Sequence, residues 1–333
     1  MKYAIWPFYS QHDKITGHTV LKTCGATRHM EFIAKNLVKL GHTVVVAVPA
    51  DAPDWPDHFT ECIRIPLKVP VSNAIQRVHW NTTDICRVFD GADIAICNHE
   101  YMAIPVRAMF PSMHIVQMCA TEPSPLDMFW SAWRRADLIV VHSEAMKRHF
   151  ASSLNNVSIW PMTYDEDRLV GPDRIRYIDI LFVQRCSSTN YTCHEQFLEV
   201  LPELPGTMNV AFTDVTRYLR TLRPELQYTA DYVTALKSSK VAIALNDDHF
   251  GGQAIREAIV CGCVPLVRDA SCYRELCGFD WPHIVKYDLS NLRDAIIRAV
   301  ASSKITDCSI PLRNAQSQSY QKCWPKIKED LRA

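Results

Sequence analysis

The sequence predicts an α/β protein built from two doubly wound domains, and three observations predict it. Short apolar runs recur along the chain, each bounded by polar or turn residues. Stretches with helical spacing separate them. The alternation halts in a polar, proline-punctuated stretch, residues 161–172, and then starts again. At 333 residues the chain is long enough for two domains of about 150 residues each.

In the first half, residues 3–8, 43–48, 93–98, 114–118 and 137–142 read as buried strands, rich in Val, Ile or Ala. Between the first two lies a helix over 29–40, with Met30, Phe32, Ile33, Leu37 and Leu40 on one face and Gly41 as its closing cap. Strands that are apolar throughout and separated by helices imply parallel pairing, with helices on both faces. After the restart, strands are expected at 178–183, 209–212, 241–245, 264–267 and 283–285. Helices are expected at 193–201, 230–238, 252–260 and 289–301, and the tail 312–331 reads as one terminal helix. The expected division is therefore 1–165, 166–311 and a helix within 312–333 that packs back towards the first domain. Two such domains are expected to face a cleft, and ligands bind doubly wound sheets outside the carboxyl ends of their strands.

Composition excludes several classes. With 48% hydrophobic and 22% charged residues the chain is neither disordered nor fibrous. Lys+Arg and Asp+Glu are 36 each, so there is no global basic field for polyanions and any nucleic-acid surface must be local. Thirteen cysteines without a C-x-x-C pair read as reduced, buried thiols rather than a zinc site, and no metal is expected. No apolar run approaches a membrane span, and the opening run before Gln11 is too short for a signal peptide, so a cytoplasmic protein is expected. There is no G-x-G-x-x-G and no Walker loop, which removes nicotinamide and P-loop chemistry.

Several segments favour sugar-nucleotide chemistry. From Asp248 to Val267 the chain reads D-H-F-G-G-Q-A-I-R-E-A-I-V-C-G-C-V-P-L-V. This resembles the donor-site signature E-x-F-G-x-x-x-x-E-A-x-x-x-G-x-P-V of retaining GT-B glycosyltransferases, through Phe250-Gly251, Glu257-Ala258, Gly262, Pro265 and Val267. A loop feeding a helix N-terminus at Gly251-Gly252 offers backbone amides to the donor phosphates. The resemblance implies that Glu257 holds ribose hydroxyls. Its first Glu falls on His249, beside Asp247 and Asp248, so either His249 or a neighbouring Asp contacts the transferred sugar, or sugar recognition differs from the family's. Leu181-Phe-Val-Gln-Arg185 resembles the family's strand ending in G-R, which implies that Arg185 neutralises the leaving diphosphate. The family's Lys five residues on is Asn190 here.

Thr23-Cys-Gly-Ala-Thr-Arg28 with Gly41-His-Thr-Val-Val-Val46 resembles the family's amino-terminal motif, which places Gly25 in a loop close to the donor. Residues 134–144 match its A-D-x-x-x-x-x-S-E segment. Phe212 and Tyr228 flank the region where uracil would stack, although ordinary core packing is the stronger reading of both. The Cys-Gly-Ala-Thr-Arg loop and Arg134-Arg-Ala-Asp137 also resemble the DNA α-glucosyltransferases of T-even phages. That likeness implies glucose transfer from UDP-glucose to 5-hydroxymethylcytosine in duplex DNA, in the host cytoplasm, by flipping the base out of its stack. Where that group has His-Asp this chain has Met118-Cys-Ala-Thr-Glu122, so Glu122 is the candidate carboxylate, with His99 as a second acceptor-side group. Arg134, Arg135, Lys147 and Arg148 are the candidate phosphate contacts. The expectation is a retaining glycosyltransferase with a UDP-sugar as co-substrate and no cofactor. Transfer to a glycan, lipid or small molecule, binding of the sugar nucleotide without turnover, and epimerisation are the alternatives.

Overall fold

The structure is a computed structural model, which describes residues 1–6, 10–12, 19–21, 25–49, 59–65, 82–98, 102–119, 127–151, 154–161, 163–170, 172, 174–184, 193–213, 218–229, 231–246 and 252–333. The chain folds as two compact units. The first comprises Met1–His142, Met146–Trp160 and Trp324–Ala333; the second comprises Ser143–Ala145 and Pro161–Cys323.

The first unit runs β1 (Lys2–Trp6), the hairpin β2 (Ser10–His12) and β3 (Thr19–Leu21), α1 (Gly25–Lys39), β4 (Thr43–Pro49), β5 (Glu61–Ile65), α2 (Thr82–Phe89), β6 (Ile94–Cys97), α3 (Ala103–Met109), β7 (His114–Met118), α4 (Asp127–Trp133), β8 (Leu138–Val141), α5 (Glu144–Ala151) and β9 (Val157–Ile159). Its sheet has the order β5-β4-β1-β6-β7-β8-β9 and every neighbouring pair is parallel. Ala4 pairs with Val45 on one side and Ala95 on the other. The chain thus winds outward from β1 in one direction and from β6 in the other, and the switch point lies between these two strands. Side chains alternate across a strand. Ala4, Trp6, Val45, Ala47, Ala95, Cys97 and Ile115 share a face and pack with Ile85, Val88 and Phe89 of α2. The Trp6 and Phe89 rings stack at 5.8 Å.

The second unit runs β10 (Ile178–Phe182), α6 (His194–Val200), β11 (Val210–Phe212), α7 (Tyr218–Leu222), α8 (Tyr232–Lys237), β12 (Ser239–Ala244), α9 (Gln253–Val260), β13 (Val264–Arg268), α10 (Ser271–Cys277), β14 (Ile284–Val285), α11 (Leu292–Ser302), α12 (Ser309–Ser317) and the start of α13 (Tyr320–Asp330). Its sheet, β11-β10-β12-β13-β14, is again parallel, with the switch point between β10 and β12.

Three expectations need correction. The tail is two helices, α12 and α13, interrupted at Gln318 and Ser319. The backbone of Ser319 is drawn into a parallel bridge with Tyr164, which takes it out of helical geometry. Within the first unit the end of α13 is anchored by Asp330, whose Oδ2 accepts from the Ser158 hydroxyl at 2.5 Å and from Trp160 Nε1 at 2.8 Å. The cysteines are not all buried: Cys62 and Cys86 are exposed, although no described cysteine is in a disulfide. Finally, α1 begins at Gly25, four residues before the expected start. The first amides of a helix need no intrahelical partner, so glycine is tolerated there.

Candidate functional site

In the second unit the switch point is pinned by one side chain. Gln184, just past β10, accepts through Oε1 from the amides of Leu245 at 2.6 Å and Asn246 at 3.2 Å, just past β12. Tyr273 of α10 donates in turn to Asn246 Oδ1. These contacts fix the carboxyl ends of the strands after which Arg185 and His249 follow in sequence.

Helix α9 comes next, with Gly252 as its N-cap residue and no side chain capping its first amides. Arg256, buried one turn in, donates from Nη1 to the Gly252 carbonyl at 3.3 Å and from Nε to Gln318 Oε1 at 2.5 Å. Burial lowers its pKa from the ordinary arginine value. Glu257 is 2% exposed. Its Oε2 accepts from the Tyr232 hydroxyl at 2.5 Å and its Oε1 from Gln253 Nε2 at 3.0 Å. Gln253 and Glu257 are four apart, so they meet on one face of α9. Tyr232 is placed by the cap of α8, where the Asp231 carboxylate accepts from the amides of Val233 at 3.0 Å and Thr234 at 3.3 Å. The Arg168 guanidinium lies 5.7 Å from the centre of the Tyr232 ring. A buried carboxylate held from two sides is an oriented acceptor, suited to neighbouring hydroxyls such as a ribose diol.

Arg268, at the carboxyl end of β13, stacks on Tyr287 at 4.2 Å. It donates to the Tyr287 carbonyl at 2.7 Å and to the Leu245 carbonyl at 3.4 Å. Phe212 is a core residue, packed against Phe182 and Phe197. Tyr228 is half-buried; it donates to the Arg223 carbonyl at 2.8 Å and lies beneath Arg220.

Two histidines of the first unit, neither of them among the expected site residues, meet at the carboxyl side of its sheet. His29 on α1 lies 6.2 Å from the Trp160 ring and 6.5 Å from the His142 ring. Burial and then His142 lower its pKa to about 3. Its neighbour's Nδ1 lies 2.8 Å from the Trp160 carbonyl oxygen, which can only accept, so His142 carries a proton on Nδ1.

The expected DNA-contacting cations do not gather at the carboxyl ends. Arg134 and Arg135 are exposed in the turn before β8, and Arg135 donates to the Ser131 carbonyl at 2.8 Å. Lys147 lines a depression with His114, Asp137 and Asn156, at the amino ends of β7, β8 and β9. That depression also takes Asp330 and Glu329, so it is not uniformly basic. Arg148 is exposed on α5. The reason is geometric: α5 leaves the carboxyl end of β8 and runs back along the sheet. Gly25, expected in a loop, is the first residue of α1. His99, Glu122, Arg185, Asn190, His249, Phe250 and Gly251 lie outside the described residues. Among the described residues no His, Cys, Asp or Glu group is placed to hold a metal ion, and no helix is long and apolar enough to cross a membrane.

Residues 23–168 match the family model of glycosyltransferase family 4, so the chain carries a glycosyltransferase domain there. No curated protein matches the sequence. Solved structures do match in fold. The structure of Anabaena Alr3699/HepE in complex with UDP-glucose shares 14% identity and a TM-score of 0.68 over 99% of each chain. Sucrose-phosphate synthase from Thermosynechococcus elongatus shares 13% and 0.70, over 99% of this chain and 98% of that one. WaaG, a glycosyltransferase involved in lipopolysaccharide biosynthesis, shares 15% and 0.60, over 94% and 98%. These neighbours are glycosyltransferases, and the fold they share with this chain is GT-B, with two Rossmann-like domains.

Proposed function

We propose that this protein is a retaining glycosyltransferase that takes a sugar, glucose or a close relative, from a UDP-sugar and gives it to a hydroxyl acceptor. The observation that carries the reading is the Glu257 carboxyl, buried on α9 and oriented by Tyr232 and Gln253 beside a strand-to-helix turn at a switch point. The complexes of the Anabaena protein with UDP-glucose and with UDP support the donor class.

In this reading the second unit binds the donor. Glu257 accepts from the ribose hydroxyls, and the first amides of α9 face the diphosphate. Arg185 meets the charge that develops as the diphosphate leaves. His249 stands where the signature's first Glu would contact the sugar, and Asn190 replaces a phosphate-binding Lys. The bond from the sugar's anomeric carbon to the phosphate oxygen breaks as the bond to the acceptor oxygen forms on the same face. The acceptor's proton passes to the departing phosphate. Positioning and electrostatics supply the rate, so no cofactor is required. His99 and Glu122 are the acceptor-side candidates. The resemblance to the phage enzymes names 5-hydroxymethylpyrimidine in duplex DNA as an acceptor, and cytoplasm as the setting. The positions of Arg134, Arg135 and Lys147 lend that acceptor no support.

The test is transfer from UDP-glucose to three acceptor classes: hydroxymethylated duplex DNA, oligosaccharides and small alcohols. Proton NMR of the product reads the anomeric configuration. An α-linked product supports the reading; a β-linked product would overturn retention. Transfer to DNA alone would establish the DNA acceptor, and transfer that ignores DNA would remove it.

A further inference from the structure

We infer that the buried carboxamide of Asn98 is an acceptor-binding group, which takes a hydroxyl of the molecule that receives the sugar. The inference rests on the glycosyltransferase reading and extends it to a residue that the sequence motifs do not single out.

Asn98 follows β6, the central strand of the first sheet. Its amide still donates to the Trp6 carbonyl at 3.1 Å, so the ladder between β1 and β6 extends to it. These are the two strands between which the winding reverses, where doubly wound sheets bind ligands. Cys97 faces the cluster containing Trp6, Ala95 and Ile115. Alternation therefore places Asn98 on the opposite face, in line with Ile96 and Ile94.

The side chain is 0% exposed, and among the described residues neither its Nδ2 nor its Oδ1 has a hydrogen-bond partner. Two other buried amides at strand ends each engage at least one end of the carboxamide. Gln117, at the carboxyl end of β7, donates to the carbonyls of Cys97 and Met118, each at 3.0 Å. Gln184 accepts two amides in the second unit. A buried polar group without partners destabilises a fold, and a leucine of similar size would avoid that cost. Residues that break such a rule concentrate where ligands bind. A carboxamide presents N–H donors beside a carbonyl oxygen. That pairing matches a hydroxyl, which donates and accepts at once, and its neutrality gives a phosphate no advantage.

The experiment compares wild type with Asn98→Leu and Asn98→Ala. Melting temperature, UDP affinity and acceptor kinetics are measured, with UDP-glucose as donor and the three acceptor classes named above. The expected result is a leucine variant that melts at or above wild type and binds UDP normally. Its acceptor kcat/KM should fall on the order of 10- to 100-fold, the loss of one or two hydrogen bonds. Unchanged acceptor kinetics would overturn the inference. So would a leucine variant that melts well below wild type or fails to fold, since Asn98 would then be structural. A wild type that neither binds UDP nor consumes UDP-glucose would instead overturn the functional reading, and intact donor binding tells the two failures apart.

Discussion

The Tyr232 hydroxyl reaches Glu257 from another helix, 25 residues earlier in the chain. Replacing Tyr232 by Phe keeps the ring beside Arg168 and removes only the donor. One hydrogen bond to a charged group contributes about 1.5–3 kcal/mol. Tyr232→Phe should therefore raise the UDP-glucose KM by roughly tenfold or more, and change kcat less, because in the proposed function Tyr232 orients a binding group. A variant with wild-type KM would free Glu257 of this support. The role proposed for Glu257 could be read from the sequence because the motif that suggests it is local. Tyr232 and Gln253 were not, because their roles exist only once α8 and α9 pack together. His29 escaped for a similar reason: alone it reads as one more polar residue on a helix. Its pKa of about 3 has a consequence for stability. The folded value lies below the unfolded value of about 6.5, so the unfolded chain takes up the proton first. Its contribution is full above pH 6.5 and is lost as pH falls towards 3, at up to roughly 1.4 kcal/mol per pH unit. Burial lowers His114 and His283 in the same direction. Urea melts between pH 4 and 7 should show stability falling with acidity, less steeply in His29→Leu. Parallel slopes would contradict the assignment.

At the scale of elements, α9 depends on how it ends as well as how it begins. Gly262 follows it at φ +81°, and a Cβ there would meet the Arg176 guanidinium. Arg176 donates to the carbonyls of Ser239 and Cys261, tying the start of β12 to the end of α9. Gly262→Ala should cost at least about 1–2 kcal/mol for the left-handed backbone alone, and lower the melting temperature by several degrees. An alanine variant as stable as wild type would mean that α9 can end otherwise. Strand β7 and helix α9 fell within a residue of their expected bounds, because turn residues such as Pro111-Ser112 and Gly251-Gly252 mark where each begins. By contrast, β5, Glu61–Ile65, went unnoticed because it lies at a sheet edge and alternates exposed with buried residues. At Val157–Ile159, β9 has three residues and no period to read. The run from 312 onwards keeps helical spacing through Ser319, so only the bridge to Tyr164 reveals the break.

For the whole molecule, alternation of apolar strands with helices was enough to reach two parallel sheets, because continuous burial on both faces leaves few other arrangements. Strand order was beyond it: which strands flank the switch points depends on long-range pairing such as Ala4 with Ala95. Under the proposed function the second unit binds a nucleotide sugar around Glu257. Calorimetric titration of UDP into wild type and Glu257→Ala tests it most directly. The account predicts saturable binding to wild type and, in the variant, affinity weakened by 10-fold or more, the loss of charge-assisted bonds of about 1.5–3 kcal/mol each. Equal affinity in a folded variant, or no binding of UDP by wild type, would contradict it.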